Sequence, residues 1–142
     1  MRAVVQRVLN AELKVEGKLI SKIGRGFVVF FGVKNGDVPA DADKIVKKIS
    51  ALRIFEDEKM NLSVGDVGGE VLFVSQFTLY GDASHGNRPS FTEAARPETA
   101  KPIYDYAAEK LRSLGVPVST GIFGADMKIL QENDGPVTIL LS

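Results

Sequence analysis

The sequence contains no cysteine and only one histidine, His85, among its 142 residues. The absence of cysteine excludes disulfides, thiolate nucleophiles and zinc sites with cysteine ligands. A metal site would therefore consist mainly of carboxylates, but no Asp/Glu cluster has the loop spacing of a calcium or magnesium site. We expect chemistry that needs no metal ion and no other cofactor.

The sequence also lacks a net charge, because 18 Lys and Arg residues balance 18 Asp and Glu residues. This balance argues against indiscriminate nucleic-acid binding, which needs a broad positive field, but it allows a local basic patch that binds one end of an RNA. No apolar run is long enough to cross a bilayer, and residues 1–8 lack the apolar core of a signal peptide. We therefore expect a cytoplasmic protein with no membrane contact.

The remaining composition is that of a globular protein, with 44% hydrophobic and 25% charged residues. No repeat or linker divides the chain, so we expect one domain spanning residues 1–142. Apolar periodicity predicts eight strands, at residues 2–8, 11–15, 19–23, 27–33, 71–79, 118–122, 127–130 and 137–141. Apolar residues at helical spacing predict two helices, at 39–52 and 98–114, with a loop or irregular hairpin at 53–69 and a polar loop at 81–90. The predicted fold class is α+β, a largely antiparallel or mixed sheet system covered by two main helices.

Three polar side chains, Ser75, Gln76 and Thr78, end a predicted strand that starts with the apolar residues 71–74. Polar groups that follow an apolar strand are costly unless they are hydrogen-bonded or used in function. By pattern alone, an ordinary strand end is favoured, with the hydroxyls bonded to neighbouring backbone. The alternative is a functional site at residues 75–79.

A second polar segment, Asn133–Thr138, contains the strong turn signal Asn-Asp-Gly-Pro. An ordinary turn before the last strand is favoured on spacing alone. The functional alternative requires a cis bond between Gly135 and Pro136, an isomer that about 5–6% of X-Pro bonds adopt in folded proteins. The two carbonyls would then point the same way and form a receptor for an ammonium group.

Three further patterns are weaker. The loop at residues 86–91 contains one cation and several donors, which suit either a phosphate site or a solvated loop. His85 can be combined with Ser75, Ser84 or Ser90 into a Ser-His-acid triad, but no G-x-S-x-G elbow supports it. The glycines at 65, 68 and 69 lack the Lys-Ser/Thr ending of a phosphate-binding loop and are interpreted as turn glycines.

Six segments carry a specific resemblance through their order and spacing: Met1–Val8, Leu52–Asp57, Ser75–Leu79, Arg88–Phe91, Gly121–Met127 and Asn133–Thr138. Together they resemble the D-aminoacyl-tRNA deacylase family over essentially the full length. The sequence departs from that family at residues 81–85, where a basic sequence is often found, and at residues 130–132. Because the basic sequence is absent at residues 81–85, RNA contacts are not expected from these residues on the basis of the resemblance.

The resemblance implies a three-layer β/β/α homodimer with its active site at the subunit interface. It implies that Gly135–Pro136 is cis and reaches into the partner's pocket, where it admits D-amino acids and glycine and excludes L-amino acids. Arg7 is expected to fix the orientation of this motif. Phe123 and Met127 are expected to line the pocket beside the terminal adenosine of tRNA.

The expected reaction is hydrolysis of the ester between the amino acid and the 3′-terminal ribose. The backbone N–H groups of Phe77 and Thr78 are expected to stabilise the oxyanion, and Gln76 to hold the ribose or the adenine edge. Water is the expected nucleophile, assisted by the 2′-hydroxyl of the RNA, with the Thr78 hydroxyl as a support. The alternatives are a non-catalytic RNA-binding module, a serine hydrolase that uses His85, and a purely structural interaction domain.

Overall fold

The computed structural model describes residues 1–142, which form eight strands, two α-helices and one 3-10 helix. The strands are β1 Arg2–Val15, β2 Lys18–Ile23, β3 Gly26–Gly32, β4 Phe55–Glu56, β5 Met60–Leu62, β6 Glu70–Ser75, β7 Val118–Thr120 and β8 Lys128–Leu141. The helices are α1 Pro39–Ala51 and α2 Pro97–Ser113, and the 3-10 helix is Phe77–Tyr80. No helix of the structure has both the length and the apolar character required to span a membrane.

The long strand β1 organises the main sheet. Its first half pairs antiparallel with β3 and its second half with β2, whereas β8 pairs antiparallel along the opposite edge of both halves. Strand β3 then pairs in parallel with β6, and β6 pairs in parallel with β7. The sheet is therefore mixed. Because β3 and β6 are parallel, the residues that follow β6 lie beside the carboxyl end of β3.

Two hydrophobic clusters lie on opposite faces of β3. Phe27 and Val29 belong to a cluster of 23 buried residues that includes the apolar faces of α1 and α2. Val28 belongs to a cluster of 7 buried residues that also includes Leu13 of β1 and Leu72 of β6. Strand β2 contacts β6 and β7, so the sheet curls over the second cluster. The first cluster lies between the helices and the sheet, and the second lies between the two curled parts of the sheet, so the fold has three layers. The predicted α+β fold with a mixed sheet and two main helices is confirmed.

Both helices begin and end close to the predicted residues, for local reasons. Pro39 and Pro97 occupy the first positions, where the missing N–H has no intrahelical acceptor in any case. The Asp41 carboxylate accepts a hydrogen bond from the Val38 N–H at 2.9 Å, which caps α1. Gly115 follows α2 with φ of +86°, a conformation that suits glycine and ends a helix.

Three predicted boundaries were wrong. Residues 2–8 and 11–15 form one strand, because irregular pairing with β8 around Val8 lets β1 continue past Leu9 and Asn10. Residues 127–130 and 137–141 also belong to one strand, β8, which runs through the predicted turn at 133–136. The strand predicted at 71–79 ends at Ser75 and is followed by the 3-10 helix.

Candidate active site

A cavity of about 490 Å³ opens at the carboxyl end of β6. Its walls come from the 3-10 helix, the start of α2 and the segment between β7 and β8. The lining residues are Phe31, Val33, Ser75, Gln76, Phe77, Thr78, Phe91, Ala94, Ala95, Pro97, Ala100, Phe123, Gly124, Ala125 and Met127. This volume and this mostly apolar lining are typical of a site for a small molecule or a nucleoside.

Two adjacent backbone N–H groups in this lining have no protein acceptor. The Gln76 N–H donates to Phe31 O at 2.8 Å, and the Leu79 N–H donates to Gln76 O at 3.4 Å. The intervening N–H groups of Phe77 and Thr78 donate to none of the turn and loop acceptors, because the first residues of a 3-10 helix precede its first i→i−3 bond. They are fixed donors for a ligand oxygen, of the kind that stabilises an oxyanion.

The side chain of Gln76 holds the hydroxyl of Thr78. Gln76 Nε2 donates a hydrogen bond to Thr78 Oγ1 at 3.0 Å. Thr78 itself is exposed at the cavity, and Gln76 is half-buried. Since the amide occupies an acceptor site of the hydroxyl, the Thr78 hydroxyl proton is free to donate toward a ligand.

None of the 15 lining residues has a titratable side chain. His85 makes no hydrogen bond to Ser75, Ser84 or Ser90, so no Ser-His pair is formed; the Ser90 hydroxyl instead lies 3.3 Å from the Thr92 hydroxyl. A threonine or serine hydroxyl is a weak nucleophile without a neighbouring base. The cavity therefore offers positioning and hydrogen-bond donors rather than an activated side chain. Nor does the structure group three carboxylates or imidazoles as metal ligands.

Aromatic residues form the apolar walls. The Phe77 ring meets the Phe91 ring edge-on, with centroids 5.3 Å apart, and Phe123 lies 6.0 Å from Tyr104. The buried Tyr104 hydroxyl donates to Phe73 O at 2.5 Å, which ties α2 to β6 behind the cavity. Burial raises the pKa of Tyr104 far above its ordinary value, so the side chain stays a neutral donor. Met127 lies across from Gly121, where any Cβ would collide with its sulfur.

Arg7 forms a second, separate cluster with the Asn133–Thr138 segment of β8. Its side chain is almost fully buried, and Nη1 donates to Ile54 O at 2.6 Å. Nε lies 3.2 Å from Asp134 O and 3.3 Å from Asp134 Oδ2, and Nη1 lies 3.4 Å from the Glu56 carboxylate. The Gly135–Pro136 bond that follows is cis, and Gly135 has φ of +125°.

The structure brings some of the predicted site residues together and keeps others apart. Ser75, Gln76, Phe77, Thr78, Phe123 and Met127 all line the cavity. Arg7, Gly135 and Pro136 do not line the cavity of their own chain. Sequence reasoning also missed some residues, namely Pro97 and Ala100 in the cavity wall and Glu56 beside Arg7. Pro97 and Ala100 have apolar side chains, which do not indicate a site in the sequence. Glu56 lies in the segment Leu52–Asp57 that carries the family resemblance, but the resemblance gave it no role.

Known proteins resemble this chain over nearly its full length. A family model described as D-Tyr-tRNA(Tyr) deacylase matches residues 4–142. D-aminoacyl-tRNA deacylases of Syntrophomonas wolfei and Thermomicrobium roseum are 56% and 55% identical to it over 143 residues, which cover 99% of this chain and 96% and 93% of those proteins. The solved structure of a protein named c-Myc DNA Unwinding Element Binding Protein is 44% identical with a TM-score of 0.94, covering 100% of this chain and 98% of that one. The fold is shared with the solved structure of a probable eukaryotic D-amino acid tRNA deacylase. That structure is 21% identical with a TM-score of 0.83, covering 99% of this chain and 97% of that one.

Proposed function

Because the chain belongs to the D-Tyr-tRNA(Tyr) deacylase family, we propose that it is a D-aminoacyl-tRNA deacylase. Its reaction is hydrolysis of the ester between a D-amino acid and the 3′-terminal ribose of tRNA. The observation that carries this proposal is the pair of free N–H groups at Phe77 and Thr78 inside an uncharged cavity of about 490 Å³. Such donors stabilise the negative charge that develops on a carbonyl oxygen during ester hydrolysis.

In the proposed complex the terminal adenosine lies along Phe123 and Met127, and the ester carbonyl oxygen accepts from the two N–H groups. A water oxygen forms a bond to the carbonyl carbon, the bond to the ribose 3′-oxygen breaks, and that oxygen takes up a proton. The lining supplies no ionisable base, so the neighbouring 2′-hydroxyl of the RNA assists the proton transfer. The Thr78 hydroxyl, held by Gln76, orients the water or the ribose.

The chiral filter is proposed to come from a second copy of the chain. Gly135 and Pro136 lie outside the cavity of their own chain, so they can act only on a cavity that another copy brings to them. Strand β8, which carries them, pairs only with β1 and leaves its other edge unpaired. Leu130 and Leu140 of β8 are 72% and 76% exposed, which suits burial in a homodimer.

In such a homodimer, the carbonyl oxygens of Gly135 and Pro136 bind the substrate ammonium group. An L side chain would then meet the Gly135–Pro136 backbone, whereas a D side chain points outward and glycine has none. A filter made of backbone tolerates side chains of any size that point outward. Glycyl-tRNA is accordingly a second substrate, and Arg7 acts by holding Asp134 and Gly135 in position.

The test is release of free amino acid from D-tyrosyl-, L-tyrosyl- and glycyl-tRNA in a buffer treated with a metal chelator. We expect rapid release from the D-tyrosyl and glycyl substrates and negligible release from the L-tyrosyl substrate. Binding of all three without release would instead identify a non-catalytic nucleic-acid-binding module. Comparable rates on the two tyrosyl substrates would contradict the filter but not the esterase activity.

A further inference from the structure

The polar loop between Gly81 and Phe91 is fixed to the cavity wall at both ends. Asp82 and Ser90 exchange two backbone hydrogen bonds of 2.8 Å each, which close the loop at its base. Phe91 packs edge-on against Phe77, and a Cβ at Gly81 would lie 3.0 Å from the Phe91 ring. The loop is therefore held at the rim of the cavity, beside the residues that carry the free N–H groups.

Arg88 lies in this loop and its guanidinium makes no ion pair or hydrogen bond within the protein. Residues 83–91 contain no carboxylate. The Asp82 carboxylate at the loop base accepts from the Ser84 N–H at 2.9 Å. Three other exposed cations near the cavity differ from Arg88 because each has a carboxylate partner; these pairs are Arg96–Glu98, Lys101–Asp105 and Lys128–Asp126. Arg88 thus presents an unneutralised charge to solvent at the cavity rim.

A guanidinium group suits phosphate in particular. Its planar set of N–H donors matches two phosphate oxygens at once, and it stays charged at every physiological pH. Arg88 is three residues from the cavity residue Phe91, a span of at most about 11 Å of extended chain. A tRNA whose terminal adenosine occupies the cavity must pass its next phosphodiesters across this rim.

We propose that Arg88 binds a phosphodiester of the single-stranded 3′ end of tRNA, next to the terminal adenosine. This inference rests on the proposed function, because it assumes that the terminal adenosine occupies the cavity. Arg88 contacts the substrate remote from the ester and lowers the KM for tRNA without entering the chemistry. A phosphate contact at Arg88 would also explain how a protein without net charge selects an RNA end. The unpaired cation binds a phosphate next to the cavity in which the adenosine is proposed to lie.

The test compares two substrates, D-tyrosyl-tRNA and D-tyrosyl-adenosine, which has the same ester and nucleoside but no phosphate. For Arg88→Ala we expect KM for the tRNA to rise about tenfold with kcat unchanged, as for loss of a charge-assisted hydrogen bond. The slope of log kcat/KM against log salt concentration should become shallower by about 0.7, the value for one single-stranded phosphate contact. Arg88→Lys, which keeps the charge, should recover part of the loss. The kinetic constants for D-tyrosyl-adenosine should match those of the wild type.

Lys110→Ala is the matched control, because it removes one exposed cation about 15 Å along α2 from the cavity residue Ala100. If Lys110→Ala lowered kcat/KM for D-tyrosyl-tRNA as much as Arg88→Ala does, the effect would come from the overall electrostatic field of the protein, and the specific role of Arg88 would be overturned. If Arg88→Ala lowered kcat/KM equally for D-tyrosyl-tRNA and D-tyrosyl-adenosine, the effect would lie in the cavity, and the role of Arg88 in phosphate binding would also be overturned. If the wild type hydrolyses both substrates and Arg88→Ala is unimpaired on tRNA, only this inference fails. If the wild type hydrolyses neither, the proposed function fails with it.

Discussion

Arg7 Nη2 lies 3.1 Å from the position that a Cβ on Gly135 would occupy. The same guanidinium bonds Ile54 O and Asp134 O, so the backbone just before Gly135 is tied to the interior of the fold. The backbone at Gly135, with φ of +125°, is a conformation that side-chain-bearing residues rarely adopt. A glycine and a buried arginine are thus required together at this point of β8, and the proposed chiral filter depends on both.

Gly135→Ala is expected to lower the preference for D- over L-tyrosyl-tRNA by at least about tenfold. The new Cβ would lie 2.8 Å from Val137 Cγ2 and crowd Arg7, so the segment must shift. The measurement is the ratio of kcat/KM for the two tyrosyl-tRNAs. Gly36→Ala is the control, because Gly36 also has a positive φ, +91°, but has open space around its Cβ position. An equal loss of preference in both variants would trace the effect to backbone strain in general.

Arg7→Lys is expected to lower the same ratio and to destabilise the protein by about 1–3 kcal/mol. Lysine keeps the charge but offers one nitrogen in place of the two, Nε and Nη1, that bond Asp134 O and Ile54 O from separate positions, so we expect one of these carbonyls to lose its donor. Chemical denaturation measures the free energy of unfolding, and kinetics with both tyrosyl-tRNAs measures the ratio. A destabilised variant that keeps full D-preference would show that Arg7 serves stability alone.

The sequence predicted the Ser75–Thr78 cluster and both helices but missed the 3-10 helix that frees the two N–H groups. That helix depends on the bond from the Gln76 N–H to Phe31 O, a partner on another strand 45 residues earlier in the sequence. Local signals likewise predicted a turn at Asn133–Pro136, whereas β8 pairs with β1 on both sides of this segment, at Asn133 and at Thr138, and Arg7 contacts the unpaired residues between them. Pro97 and Ala100 reach the cavity only because α2 packs there. Long-range contacts, which a local pattern does not contain, decided each of these features.

Phe77→Pro is expected to lower kcat by about 10²–10³-fold relative to Phe77→Ala, the loss typical of one oxyanion donor. Both substitutions remove the ring, but only proline removes the N–H. Proline fits the first position of a 3-10 helix, and the backbone of Gln76 (φ −146°, ψ 93°) lies outside the α region that a following proline disfavours. The comparison is made by single-turnover kinetics on D-tyrosyl-tRNA. Equal rates in the two variants would remove the Phe77 N–H from the mechanism.

Thr78→Ala is expected to slow hydrolysis less than about tenfold, because no base in the cavity activates the Thr78 hydroxyl as a nucleophile. In contrast, D-tyrosyl-tRNA that ends in 2′-deoxyadenosine should be hydrolysed much more slowly, since it lacks the assisting hydroxyl. Single-turnover rates with saturating enzyme separate both effects from binding. Complete loss of turnover in Thr78→Ala with unchanged tRNA binding would instead identify Thr78 as the nucleophile.

Subunit mixing is expected to restore chiral preference to Gly135→Ala. Its subunits have an intact cavity but a faulty filter, whereas Phe77→Pro subunits have a faulty cavity and an intact filter. In a heterodimer with the proposed interface, the intact cavity faces the intact Gly135 of the partner. Equal mixing at random places about half of the Gly135→Ala cavities in such heterodimers, so L-tyrosyl-tRNA hydrolysis per Gly135→Ala subunit should fall by about half.

The control mixes Gly135→Ala with the double variant Phe77→Pro/Gly135→Ala, which contributes neither a cavity nor a filter. The activity on L-tyrosyl-tRNA per Gly135→Ala subunit should then stay unchanged. Two differently tagged chains, co-expressed and purified through both tags, isolate the heterodimer and give the D- to L-tyrosyl ratio of its one intact site directly. If the purified heterodimer keeps the low ratio of Gly135→Ala, the filter does not come from the partner subunit. Gly135 would then have to act on the cavity of its own chain, from which it is separate in this structure.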